Sequence, residues 1–182
     1  MFYQGSKKLK TSLWVFAGFL ISIIWLAEGS AQNLPVQAAG TKPQVKIKHA
    51  SNLATDGDEA SKKQIPVLMF FSMNHCPYCI EVEEDYLKPM LRNAAYDDKV
   101  IIRKIKIDGT DSMKDFNGKD RDIEEFSDEY NISMVPTLIL VDSNGNKLVP
   151  PIIGIANAHF YSHDLDRAIE KSRQKIRTFA KR

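Results

Sequence analysis

One stretch limits the possible folds of this chain more than any other. Val67-Leu68-Met69-Phe70-Phe71 stands between Pro66 and Ser72, and Cys76-Pro77-Tyr78-Cys79 follows closely. A short, unbroken apolar run reads as a strand buried on both faces. The segment after the cysteines, Ile80 to about Leu91, is acidic and helix-like. Strand, turn and helix in that order place Cys76 at or just before a helix N-terminus, where free N–H groups and the helix dipole favour a thiolate. Pro77 suits the first helical position, which needs no N–H. Cys79 follows one helical turn later, within bridging distance. The spacing suits a reversible disulfide with an outer, attacking Cys76 and a sheltered, resolving Cys79.

Other chemistries fit the pair less well. The chain has two cysteines in all, and a structural zinc site takes four cysteine or histidine ligands. His75 and a distant histidine would have to complete it, and no second closely spaced ligand pair exists. A covalent haem site needs histidine directly after the second cysteine, where Ile80 stands. A purely structural disulfide would close too short a loop to remove much chain entropy. No metal and no separate cofactor is expected beyond the redox-active Cys76–Cys79 disulfide.

The cysteine motif after an apolar strand resembles the thioredoxin superfamily. A second motif supports this: Met134-Val135-Pro136-Thr137, then Leu138-Ile139-Leu140-Val141 and Asp142-Ser143-Asn144-Gly145. These residues are similar to the superfamily's cis-proline segment, its next strand and its hairpin turn, and Gly154 stands where the family has a glycine. The nearest likeness is to exported bacterial thioredoxin-like proteins of the SoxW type, over roughly Val45 to Ile176. The resemblance implies an α/β thioredoxin fold, a mixed central sheet flanked by helices. It implies catalytic Cys76 and Cys79, and substrate contacts from Pro77, Tyr78, Val135 and a cis Pro136. Lys104 falls near the family's strand lysine, and His75 is a second candidate modulator of the thiolate. The chain departs from the family six residues before Cys76, where Phe70 replaces a buried aspartate. The Pro-Tyr dipeptide is shared with glutaredoxins, but Ile155-Ala156-Asn157 replaces their Gly-Gly-Asp glutathione signature.

Ahead of this domain, Lys7, Lys8 and Lys10 precede an apolar run from Leu13 to Ala27. A basic start followed by an apolar run is the layout of an export signal, and Gly29-Ser30-Ala31 offers small residues for cleavage. The run is long for a signal and short of the ~20 residues of a membrane span, so residues 1–31 are either a cleaved signal or an N-terminal anchor. Residues 32–43, with Pro35, Gly40 and Pro43, read as a linker. Residues 44–182 are the thioredoxin-like domain. Removing residues 1–31 takes away three of the 25 basic and one of the 23 acidic residues, leaving 22 of each. A neutral domain argues against a nucleic-acid partner.

Along the domain, Val45 and Ile47 suggest a first edge strand, and Ser51 to Lys63 a helix weakened by Gly57. In the helix after the cysteines, Ile80, Tyr86, Leu87 and Met90 are expected inside, and Glu81, Glu83, Glu84 and Asp85 outside. Val100 to Asp108 reads as a strand, Gly109 to Asp122 as a surface insertion, and Ile123 to Tyr130 as a helix. Asn144-Gly145 marks a hairpin. A last helix runs from about Asn157 or Ser162 to Phe179.

The expected function is an exported thiol–disulfide oxidoreductase that reduces protein disulfides. It would act in the periplasm, as a secreted protein, or at the outer face of the cytoplasmic membrane, as a monomer beside a membrane electron donor. The alternatives are a periplasmic oxidant or isomerase, and a thioredoxin-fold chaperone or assembly factor without enzymatic activity.

Overall fold

The structure is a computed structural model that describes residues 44–180. The expected signal or anchor (1–31) and linker (32–43) lie outside the described residues. In chain order the elements are α1 (Leu53–Lys63), β1 (Val67–Ser72), α2 (Pro77–Glu81), a π turn (Val82–Leu87) and α3 (Lys88–Arg92). Then follow β2 (Ile101–Lys106), β3 (Ser112–Lys114), β4 (Asp120–Asp122), α4 (Ile123–Glu129), β5 (Thr137–Val141), β6 (Ile152–Ile153) and α5 (Ala158–Phe179).

Four strands form one mixed sheet in the order β2-β1-β5-β6. β1 runs parallel to β2 and antiparallel to β5, with Phe70 opposite Lys104 on one side and Leu138 on the other. A parallel pair needs a long crossover, and α2, the π turn and α3 provide it. Every residue of β1 is buried. The two-residue period of a strand divides them. Val67, Met69 and Phe71 join Ile105, Ile139 and Val141 under Leu53, Phe126 and Tyr130. Leu68 and Phe70 join Ile102, Leu138 and Leu140 under Val82, Leu87, Leu165 and Ile169. The continuous apolar run is therefore two interleaved core faces. The result is the thioredoxin fold: a mixed central sheet flanked by helices.

The helix after the cysteines is not regular. Pro89 has no N–H to give to the carbonyl of Asp85 four residues back, and the chain widens into a π turn just before it, where the Lys88 N–H donates to Glu83 O. The inward residues become Cys79, Val82, Leu87 and Met90, with a five-residue step across the turn. Ile80, expected inside, is exposed. Glu83, expected outside, is turned toward the sheet.

Three other segments depart from expectation. Val45 and Ile47 form no strand; a single parallel bridge joins His49 to Lys104 at the edge of β2. The 109–122 segment is not a plain surface loop. It holds the β3–β4 hairpin, whose Met113 enters the core, and Asp115 Oδ1 accepts from the N–H groups of Asn117 and Lys119. Gly57 serves packing: a Cβ there would lie 2.4 Å from the Ser143 carbonyl oxygen. Across the same layer Arg103 holds Asp56 in a two-pronged ion pair at 2.5–2.9 Å.

Candidate active site

The cysteine loop hangs from the C-terminal end of β1. Parallel pairing brings the end of β2 to the same edge, and two bonds tie the loop to it. The Ile107 N–H donates to Ser72 O at 2.9 Å, and the Asn74 N–H donates to Asp108 Oδ2 at 2.8 Å. That bond holds the Asp108 carboxyl below the usual carboxylate range. Next to it, His75 is exposed and in the left-handed region at φ 54°, uncommon for a residue with a Cβ.

Cys76 is the N-cap of α2, and its Sγ accepts the Cys79 N–H at 3.1 Å. The cysteines form a disulfide with their Cα atoms 5.2 Å apart. Cys76 is half-buried, while Cys79 is only 3 % exposed. Pro77 occupies the first turn of α2, and Tyr78 stands out at 64 % exposure. An attacker coming from solvent therefore meets the sulfur of Cys76 first.

β5 begins at this same end of the sheet, because Phe71 pairs with Thr137. The Val135–Pro136 peptide is cis. Val135 is half-buried and Pro136 buried; Pro136 O accepts the Gly154 N–H at 2.8 Å, and Thr137 Oγ1 donates to Met134 O at 2.7 Å. Met73 and Met134, at 43 % and 58 % exposure, join Tyr78 as exposed apolar side chains of these two loops.

Lys104 and the unforeseen Glu83 form the charged layer of this region. Lys104 Nζ lies 2.5 Å from Glu83 Oε2 and 5.8 Å from the centre of the Phe70 ring. Lys88 Nζ approaches Glu83 Oε1 at 3.4 Å. Burial works to raise the Glu83 pKa, but the Lys104 hydrogen bond and both lysine charges prevail and hold it below the ordinary value. Two lysines offset the acid one helical turn from Cys79, which blunts the repulsion that the acidic helix would exert on a thiolate. Phe70 leaves the strand without a carboxyl, and the helix supplies one from the other side of the same layer.

Two contributors were missed in the sequence. Glu83 follows Cys79 by four residues, the spacing of one helix face, and that was its only local signal. Asp108 could have been found from topology, since residues beyond parallel neighbours meet at one end of the sheet. Among the described residues no three histidine, cysteine or acidic side chains converge on a metal site.

Residues 53–169 match the family model described as a thioredoxin-like domain. The chain belongs to the thioredoxin-like domain family. No curated protein matches it. Among solved structures, mitochondrial thioredoxin 3 from Saccharomyces cerevisiae, in its oxidised form, is 22 % identical, covering 68 % of this chain and 93 % of its own, with a TM-score of 0.43. A protein called Trxlp from Edwardsiella tarda is 22 % identical over 66 % and 98 %, with a TM-score of 0.47. Spinach chloroplast thioredoxin f is 21 % identical over 70 % and 87 %, also at 0.47. A thioredoxin-like fold with a Cys76–Cys79 disulfide makes this chain, in general terms, a thiol–disulfide oxidoreductase.

Proposed function

We propose that this protein is an exported, SoxW-type reductant of protein disulfides. The observation that carries the thiol–disulfide exchange in this reading is the contrast between a half-buried Cys76 capping α2 and a buried Cys79 bonded to it. In the reduced form the Cys76 thiolate attacks one sulfur of a substrate disulfide. A Cys76–substrate bond forms, and the other substrate sulfur leaves as a thiolate and takes a proton. The Cys79 thiolate then attacks Cys76 Sγ, expels the second substrate thiol and restores the Cys76–Cys79 bond. Two electrons pass to the substrate, and a dithiol donor at the membrane returns them. Pro77, Tyr78, Val135 and Pro136 bind the substrate backbone beside the sulfurs, while His75 and Lys104 adjust the charge around them.

The lysines before the Leu13–Ala27 run support export. The periplasm, or the outer face of the cytoplasmic membrane with residues 1–31 as an anchor, is the working compartment. The domain acts as a monomer on protein substrates, without nucleic acid, metal or further cofactor. Glu83 and Glu84 are offset by Lys104 and Lys88, but Glu81 and Asp85 have no ion pair among the described residues and support the reducing direction, because a strong oxidant requires a heavily stabilised thiolate. Rapid thiol alkylation in intact cells tests this: a mostly reduced Cys76–Cys79 pair is expected. A mostly oxidised pair would reverse the direction and make the protein an oxidant.

A further inference from the structure

A groove that no step above uses adjoins the cis-proline loop at Gly154. It lies between the Val149–Gly154 segment and α5. A hollow of about 370 Å³ is lined by Pro151, Ile152, Gly154 and Tyr161, with Arg167 and Lys171 on its rim. A second hollow of about 450 Å³ shares Val149, Pro150 and Lys171 with the first and extends along the same helix to Phe179. The groove starts at Gly154, whose N–H is bonded to the carbonyl of Pro136.

Three features describe what would fill it. β6 is the terminal strand of its sheet. The bond from Gly154 N to Pro136 O makes that a bonded pair, so in the alternation of an antiparallel ladder the next pair, Thr137 with Ile153, is unbonded. The N–H and C=O of Ile153 therefore point away from β5, toward the open edge, where another extended chain can pair with them. The groove walls are aliphatic and aromatic, and Ile153 in the first hollow and Phe179 in the second are exposed. The charges are uneven: Arg167 is occupied by Asp164 at 2.5 Å, while Lys171, shared by both hollows, is exposed and has no ion pair among the described residues. Lys175, which also lines the second hollow, gives its ammonium to Leu148 O, so Lys171 is the cation left to select an acidic residue flanked by apolar ones.

We infer that this groove is a substrate-selecting site, which takes an extended segment of the polypeptide to be reduced by adding it to Ile153 and setting an acidic side chain on Lys171. This rests on the oxidoreductase reading and names its substrate class: disulfide proteins with an acidic, apolar, extended stretch beside the cysteine. From Tyr161 to Phe179 the helix rises about 27 Å, enough for about eight extended residues.

Two fluorescent eight-residue peptides of valine and threonine test it, one with a central glutamate and one with a central lysine. Neither contains cysteine, so binding to the oxidised full chain is free of exchange chemistry. The glutamate peptide should bind about tenfold more tightly than the lysine peptide, and Lys171→Glu should reverse the order. Exchange of the Ile153 amide hydrogen should slow on binding. Equal binding of the two peptides, an unchanged order in the variant or an unprotected Ile153 amide would overturn the inference. So would a concentration-dependent dimer that Lys171→Glu abolishes, since the occupant would then be a second copy. Charge-dependent binding by a chain that reduces no protein disulfide would overturn the oxidoreductase reading and leave the groove as a peptide site.

Discussion

At the residue scale, Glu83 and Asp108 are the side chains whose roles emerge only in the folded chain. The Glu83 carboxyl has a lowered pKa when folded, so its ion pair stabilises the protein above the unfolded carboxylate value of about 4.3. That stabilisation is lost as pH falls through the still lower folded value. Glu83→Gln should therefore destabilise the protein at pH 7, and the difference from wild type should vanish near pH 2. Urea unfolding at the two pH values checks the sign; a difference that persists in acid would exclude the ion pair as its source. Asp108 holds the backbone of the cysteine loop through Asn74 and is itself exposed. Asp108→Ala should slow reduction of a protein disulfide several-fold with the unfolding midpoint little changed. Steady-state rates beside a urea titration separate that outcome from general destabilisation.

At the scale of elements, regular pattern was legible and exceptions to it were not. β1 could be read from Val67 to Phe71 because a strand buried on both faces needs nothing but apolar residues. α5 could be read because Asn157 caps it and Leu165 and Ile169 repeat at helical spacing. In the helix after the cysteines, Ile80 faces out and Glu83 faces in because Pro89 breaks the 3.6-residue period through a π turn, and a sequence shows only the period. Met113 was missed because a three-residue strand is too short to show alternation. By helix propensity Gly57 is a weak point in α1, whereas in the fold it marks the contact with Ser143. Helix propensity alone makes Gly57→Ala stabilising by about 1 kcal/mol. A Cβ at 2.4 Å from a backbone oxygen must instead move the helix, and overpacking costs about 1–3 kcal/mol. The variant should be less stable than wild type by urea unfolding; a gain in stability would contradict the contact.

At the scale of the whole molecule, the two motifs visible in the sequence become one site because β1 and β5 are antiparallel neighbours. The end of one strand and the start of the other share an edge of the sheet. That arrangement leaves Cys76 half-buried and Cys79 beneath it, which is the basis of the proposed order of the two attacks. Trapping tests this order most directly. Cys79→Ser and Cys76→Ser variants are expressed, free thiols are alkylated at harvest, and disulfide-linked adducts are counted on a non-reducing gel. Cys79→Ser should accumulate mixed disulfides with partner proteins through Cys76, and Cys76→Ser should accumulate none. Equal trapping by both variants, or by neither, would contradict Cys76 as the attacking sulfur.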